Sequence, residues 1–145
     1  IDAWIAAGVV VICDRYIDSS IAYQGAGRGF STETLSILER MVQTGIALEP
    51  NLLLEPHLTL WFDLPPAVAA SRLQSARAPD RFEAQDADFF ARVAPGYAER
   101  AQAAPQRFVR IDAAQSRHAV WQQITQALVR RGWLAIMVAA GGGPR

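Results

Sequence analysis

The stretch Val9-Val10-Val11-Ile12-Cys13-Asp14-Arg15-Tyr16 decides the fold prediction, because an apolar run ends there in a charged pair. Short, almost wholly apolar runs are typical of parallel strands that are covered on both faces. In open α/β sheets, ligands bind at the edge where such strands end. At that edge an arginine can hold a phosphate through two parallel hydrogen bonds, and an aspartate can act through a magnesium ion. We therefore predict a strand over Val9–Asp14 that presents Asp14 and Arg15 to a ligand.

The residues that follow this pair have the chemistry to bind a nucleobase. A helix predicted around residues 19–24 places Ser19, Ser20, Tyr23 and Gln24 within about one turn of each other. Tyrosine can stack on a base, and glutamine or serine can hydrogen-bond to its edge. A plainer interpretation stays open at this point, in which the charged pair is a surface ion pair and the tyrosine only packs.

The glycines that come next predict a loop. Gly25, Gly27 and Gly29 alternate with other residues, among them Arg28, and such clusters mark turns. The loop could let the backbone approach a ligand closely, or it could be an ordinary flexible turn.

Composition limits the class of protein and its partners. The chain has 145 residues, of which 51% are hydrophobic and 19% charged, so we expect one domain with a real core. The formal net charge is +0, so we expect no nucleic-acid or membrane partner. No apolar run is long enough to cross a bilayer. The single cysteine, Cys13, is predicted to be a small buried core residue, which fits a reducing cytoplasm.

The rest of the chain alternates helices with strands. Capping residues, apolar spacing and breakers predict the following elements: a helix over 1–7 ended by Gly8, a helix from Ser31 or Thr32 to Thr44 ended by Gly45, a strand over Leu58–Leu64, a helix from Pro66, a helix over Glu83–Ala103, a strand over Arg107–Asp112 and a helix over Ser116–Arg131. Three strands separated by crossover helices favour a parallel α/β layer fold.

The second predicted helix and the segment after it carry two further patterns. Leu35, Leu38, Met41 and Val42 are predicted to form the apolar stripe of the second helix. The repeated Leu-Glu-Pro pattern within residues 48–58 is interpreted as an insertion in a loop.

Three arginines before the long helix are candidates for a mobile lid. Arg72, Arg77 and Arg81 surround an Ala-Pro pair, and cationic side chains on a mobile segment can close over transferring phosphates. From charge alone they could equally form a solvated basic face, and Arg72 could instead stack on adenine.

The run from Asp14 to Gly29 closely resembles bacterial thymidylate kinases, and the resemblance continues in order over about residues 1–134. The resemblance also includes the segments Leu58–Asp63, Asp80–Glu83, Asp88–Phe90 and Ile111–Ala113. The resemblance implies a three-layer parallel-sheet fold of the P-loop nucleoside monophosphate kinase type. Here that fold would be incomplete, with its first two strands missing and residues 135–145 forming a flexible tail.

The resemblance also implies an activity, the ATP-dependent phosphorylation of dTMP to dTDP in dTTP biosynthesis. It implies a cytoplasmic homodimer that binds dTMP, ATP and Mg²⁺. The roles that it implies are these: Arg15 on the dTMP phosphate, Asp14 beside the magnesium ion, Ser19, Ser20, Tyr23 and Gln24 around the thymidine, Arg72, Arg77 and Arg81 as lid arginines with a catalytic role, and Asp112 and Ala113 on the adenine side.

A glycine-rich loop ending in Gly-Lys-Ser or Gly-Lys-Thr, which cradles ATP phosphates in such kinases, does not occur in these residues. The family carries that loop upstream, so we expect a fragment of a longer kinase that is inactive alone. The alternatives are a non-catalytic nucleotide-binding remnant and a related deoxynucleoside kinase, whose members also carry an Asp-Arg pair at a strand end.

Overall fold

A computed structural model describes residues 1–46, 54–76 and 87–134 of the chain. The elements follow in chain order: α1 (Asp2–Ala6), α2 (Ile17–Ser20), a π-helix (Ile21–Gly27), α3 (Thr32–Ile46), β1 (Thr59–Asp63), α4 (Pro66–Ala76), α5 (Ala87–Ala103), β2 (Phe108–Asp112) and α6 (Arg117–Arg130).

The two strands pair in parallel, in a register that runs from Thr59 opposite Phe108 to Asp63 opposite Asp112. The helices α4 and α5 make the crossover between them, and α6 follows β2. Parallel strands need such a crossover connection, because a tight turn reverses the chain direction and can join only antiparallel strands. The two predicted strands near residues 58–64 and 107–112 are therefore confirmed, as is an α/β architecture that is incomplete in sheet content.

Predicted helix starts are confirmed where a hydroxyl caps the first turn. The Ser31 hydroxyl accepts a hydrogen bond from the backbone N–H of Thr34 at 3.3 Å, immediately before α3. The Ser116 hydroxyl does the same for Ala119 at 3.3 Å, before α6. Both hydroxyls satisfy backbone donors that the first turn of a helix leaves without partners.

The strand predicted over Val9–Asp14 is wrong for this structure. The segment has no regular secondary structure, and Val10 and Ile12 are 75% and 92% exposed. An apolar run becomes a buried strand only when a neighbour supplies ladder hydrogen bonds and cover, and no described residue does so here. Its valines instead line an apolar cavity of about 400 Å³ together with Leu58 and Trp133. Cys13 is also exposed, so its predicted burial is wrong for the same reason.

The main core lies where the π-helix packs on α5. Ala22, Phe89 and Val93 form its buried cluster, with Tyr23 and Tyr97 packed against it. Gly27 fits under Phe89 and Val93, and an added Cβ there would come within 2.7 Å of the Phe89 ring. The predicted loop at Gly25 and Gly27 is therefore wrong, because both residues lie in the π-helix. Gly29, with φ of 74°, remains a turn residue.

The helix α3 turns an unexpected face inward. Leu38, Met41 and Val42 of its predicted apolar stripe are 49%, 66% and 53% exposed, while Glu39 and Gln43 are buried. Glu39 is accommodated because it pairs with an arginine of α5. The helix also continues to Ile46, past the glycine that was predicted to end it.

Several predictions fall outside the described residues. They are Arg77 and Arg81 of the predicted lid, the first residues of the predicted long helix, most of the loop insertion and the tail over 135–145. In the part of the chain that is described, none of the helices has the length and apolarity needed to cross a membrane.

The close approach of the π-helix to α5 yields a stability prediction. A Cβ at Gly96 would lie 2.8 Å from the Ala26 Cβ and 3.1 Å from the Ala22 Cα. We expect Gly96→Ala to lower the free energy of unfolding by about 1–3 kcal/mol, because backbone must move, although alanine is the better helix former. Urea denaturation of the full-length gene product measures this.

Gly25→Ala is the matched control, since its Cβ would mainly meet the flexible tip of Leu35, at 3.3 Å. We expect a change within about 1 kcal/mol for it. Equal effects of the two substitutions would contradict the packing described here.

Candidate functional site

Arg15 has an unusual backbone and is held by the helix that follows it. Its φ of 62° makes it the non-glycine residue with a left-handed backbone among those described. Its Nε donates to the Ser19 Oγ at 3.0 Å, and its guanidinium lies 4.3 Å from the centre of the Tyr23 ring. Such a conformation costs about 1–3 kcal/mol and persists where surrounding contacts hold it. The structure thus brings together Arg15, Ser19 and Tyr23, which are three of the predicted site residues.

An aromatic cluster, which sequence reasoning missed, lies beside these residues. Tyr97 of α5 makes an edge contact with Tyr23 at 6.4 Å and stacks on Trp61 of β1 at 6.2 Å between ring centroids. Burial raises the pKa of the Tyr97 phenol, although a side-chain hydrogen bond with Ser19 opposes the rise. The sequence places Tyr97 on the apolar side of a helix, a pattern that does not distinguish a core residue from a site residue.

The remaining predicted acceptor residues lie nearby along the chain and are more exposed to solvent than Ser19. Ser20 and Asp14 are exposed, and Gln24 is half-buried. The Gln24 carbonyl accepts a hydrogen bond from the Phe30 N–H at 3.0 Å, which closes the turn after the π-helix.

A buried ion cluster lies under the first turn of α2. Arg107 donates to both carboxylate oxygens of Asp18, at 2.5 and 2.9 Å, and Arg100 donates to Asp18 at 2.8 Å. Arg107 also donates to the Thr59 hydroxyl at 2.7 Å, and Arg100 pairs with Glu39 at 2.9 Å. Asp18 is 3% exposed and Arg107 8%. We call these five residues the Asp18 cluster; it joins α2, α3, α5 and the amino-terminal ends of both strands.

The arginines determine the protonation of Asp18. Burial alone would raise the pKa of this carboxyl, but the hydrogen bonds from Arg107 and Arg100 and their positive charges outweigh it, so its pKa lies below 3.8. The same contact with Asp18 raises the pKa of Arg107 against the effect of burial. Asp18 is therefore a carboxylate at neutral pH. No local sequence pattern links Asp18 to Arg107, which lies 89 residues further along the chain, so the sequence did not predict this cluster.

A second group of predicted residues meets at the carboxyl-terminal end of β2. Arg72 of α4 donates to the Ala113 carbonyl at 2.9 Å. Asp112 accepts from Gln115 at 2.9 Å and from the Ala114 N–H at 3.0 Å, and these two bonds lower its pKa. Arg72 is thus attached to the predicted adenine-side loop.

The location of the acceptor residues differs from the prediction in one respect. Asp18 contacts Arg107 and, through it, Thr59, so the start of α2 lies at the amino-terminal ends of β1 and β2. The sequence placed Arg15 at the carboxyl-terminal edge, because it assumed that residues 9–14 form a strand. In the absence of that strand, the buried Asp18–Arg107 ion pair fixes the position of α2.

Comparison with known proteins gives the family. The family model described as thymidylate kinase matches residues 1–124. The chain belongs to the thymidylate kinase family. It is 62% identical over 144 residues to the thymidylate kinase of Verminephrobacter eiseniae. That match covers 99% of this chain and 64% of the relative. It is 54% identical to that of Albidiferax ferrireducens, covering 92% and 62%, and 59% identical to that of Paracidovorax citrulli, covering 88% and 58%.

The chain therefore spans about six tenths of the length of these curated relatives. Family membership confirms the resemblance that the Asp14–Gly29 run carried.

The buried ion pair yields a stability prediction. We expect Arg107→Leu to lower the free energy of unfolding by about 3–5 kcal/mol, because it leaves a buried carboxylate without its main partner. Arg110→Leu is the control: it breaks a similar Arg–Asp pair between the strands, with Asp63, but its side chain is 67% exposed. We expect that loss to be below about 1 kcal/mol. Similar urea midpoints for the two variants would contradict this.

The lowered pKa of Asp18 gives a prediction on pH. The carboxylate stabilises the fold fully above its unfolded value of 3.8, and this contribution is lost as the pH falls below 3.8 toward the folded pKa. We expect Asp18→Asn to be less stable than wild type near neutral pH, with the gap narrowing on acidification below about pH 4. Urea unfolding at several pH values measures the gap, and a constant difference would contradict the assignment.

Proposed function

We propose that the protein to which these residues belong transfers the γ-phosphoryl group of ATP to the 5′-phosphate of dTMP, giving dTDP. Family membership supports a kinase of this kind. The observation that carries the proposal for this chain is Arg15, held by Ser19 and Tyr23 in a strained conformation at the start of a helix. Strained residues kept in place by specific contacts concentrate at functional sites.

Arg15 would bind the acceptor phosphate. Its Nε is engaged by the Ser19 hydroxyl, so phosphate binding would fall to its two terminal nitrogens, Nη1 and Nη2. Two parallel charge-assisted bonds fix the orientation of a phosphate as well as its affinity. Tyr23 lies against the guanidinium and would also face the nucleoside, with Ser20 and Gln24 as donors and acceptors for the base.

Asp14 fits a magnesium site of the kind that kinases use. It is an exposed carboxylate beside Arg15, and Mg²⁺ in such enzymes keeps several waters and takes one or two carboxylates with the substrate phosphates. The ion would neutralise charge on the phosphates. Asp14 would hold one of its water ligands.

The donor side would involve the loop after β2. Arg72 and Ala113 are already in contact there, and with Asp112 they would border the adenine. Arg77 and Arg81 would act as lid arginines that neutralise the charge developing on the transferred group. We propose that the phosphate-cradling loop lies outside these residues, so that the segment alone does not catalyse the reaction.

The proposed partners are dTMP, ATP and a second copy of the protein. The exposed apolar side chains of α3, Leu38, Met41 and Val42, are compatible with a helix face that another chain covers. A cytoplasmic location fits the exposed thiol of Cys13, which a reducing compartment would keep free.

The test is the kinase reaction of the full-length gene product. We expect it to form dTDP from dTMP and ATP, and Arg15→Ala to lower kcat/KM for dTMP by about 10²–10⁴-fold, since a charged contact to the phosphate is lost. Coupled detection of ADP with dTMP or thymidine as acceptor measures this and separates a monophosphate kinase from a deoxynucleoside kinase.

Arg117→Ala, at the exposed start of α6, is the matched control and should leave kcat/KM within about twofold of wild type. Wild-type turnover by Arg15→Ala would defeat the role assigned to Arg15. Absence of dTDP formation by the wild-type protein would favour the non-catalytic alternative.

A further inference from the structure

The side chain of Arg15 is held by residues that follow it in the chain. The other described residues with positive φ are Gly8, Gly29 and Gly132, for which that conformation is unstrained. Arg15 has no such freedom, so its position depends on Ser19 and on Tyr23. Both belong to the helical segment that begins two residues after it.

The first turn of that helical segment has no side-chain cap. The helix α2 has four residues and continues directly into the seven-residue π-helix. Its N-cap, Tyr16, makes no side-chain capping bond, and the Tyr16 hydroxyl donates instead to the Leu54 carbonyl at 3.1 Å. A helical segment of this length is marginally stable by itself in water, so the first turn of α2 depends on tertiary contacts as an anchor.

The Asp18 cluster supplies that anchor. Asp18 accepts two hydrogen bonds from Arg107 and one from Arg100, and these arginines reach Thr59 of β1 and Glu39 of α3. The side chains of Asp18 and Arg107 are 5% and 9% exposed, so water screens the pair little.

We propose that Asp18 is a positioning residue of the acceptor-phosphate site. Its pair with Arg107 fixes the turn of α2 that places the Ser19 hydroxyl on the Arg15 Nε, and thereby aims the guanidinium at the phosphate. This inference rests on the proposed binding of a nucleoside monophosphate by Arg15. It adds that the affinity for the phosphate depends on an ion pair that touches no nucleotide.

The chain of contacts is short enough to transmit a displacement. Asp18 and Ser19 are neighbours in sequence and both are buried. If the Asp18 side chain loses its partners, the same turn loses its fixed position, and Ser19 moves with it. A misplacement of about 1 Å in a binding group can reduce rates by about 100-fold.

The experiment compares two ligands that differ only in the phosphate. The full-length gene product and its Asp18→Asn variant are titrated with dTMP and with thymidine in a calorimeter, at a temperature where circular dichroism shows both to be folded. We expect the variant to bind dTMP about 10–100-fold more weakly, while its affinity for thymidine stays within about threefold. The KM for dTMP should rise, and the KM for ATP should not.

Two further variants keep the test decisive if Asp18→Asn does not fold. Arg107→Lys retains the charge but lacks the planar fork that binds both oxygens. Glu39→Gln removes only the outer pair with Arg100. We expect the loss of dTMP affinity to be larger for Arg107→Lys than for Glu39→Gln, again without a matching loss for thymidine.

Arg110→Gln is the matched control, because it breaks the exposed pair with Asp63 and lies outside the cluster. It should leave both affinities unchanged. Equal weakening of dTMP and thymidine in Asp18→Asn, or unchanged affinities in a folded but less stable variant, would mean that Asp18 acts only on stability and would overturn the proposal. A wild-type protein that binds neither ligand would instead defeat the proposed function.

Discussion

The buried carboxylate of Asp18 and the two arginines around it link α2, α3, α5 and the start of β1. A charge with 3% exposure is tolerated only when it is paired and hydrogen-bonded, and here three donors meet it. Because its partners come from α5 and from the residue before β2, distant parts of the chain must assemble before Asp18 can be buried. The ion pair therefore links the helical core to the sheet.

Close packing between the π-helix and α5 holds the helices next to this ion cluster together. Gly27 and Gly96 let the π-helix and α5 approach until an added methyl group would collide with its neighbours. A π-helix, whose hydrogen bonds span five residues instead of four, is rare and is frequently found at functional sites. Here it lies directly after the turn that supports Arg15, and it brings Tyr23 onto both the guanidinium and Tyr97.

The two groups of candidate residues differ in how they are held. The acceptor group rests on one strained arginine, one hydroxyl and one aromatic ring, all within nine residues of sequence. The donor group around Asp112 joins residues that are distant in sequence, through hydrogen bonds from Arg72 to the loop after β2. In both groups a neighbouring hydroxyl or backbone carbonyl holds an arginine side chain in place.

The sequence by itself determined what depends on local pattern: the strands β1 and β2, the capped starts of α3 and α6, and the placement of Ser19 and Tyr23 in one helical segment. The sequence also indicated the family, because the Asp14–Gly29 run closely resembles thymidylate kinases. Only the tertiary structure decided the state of residues 9–14, the burial of Glu39 in place of Leu38, and the pairing of Asp18 with Arg107. The physical reason is that a strand needs a partner and a buried charge needs a counter-charge, and both come from residues whose distance along the chain no local pattern encodes.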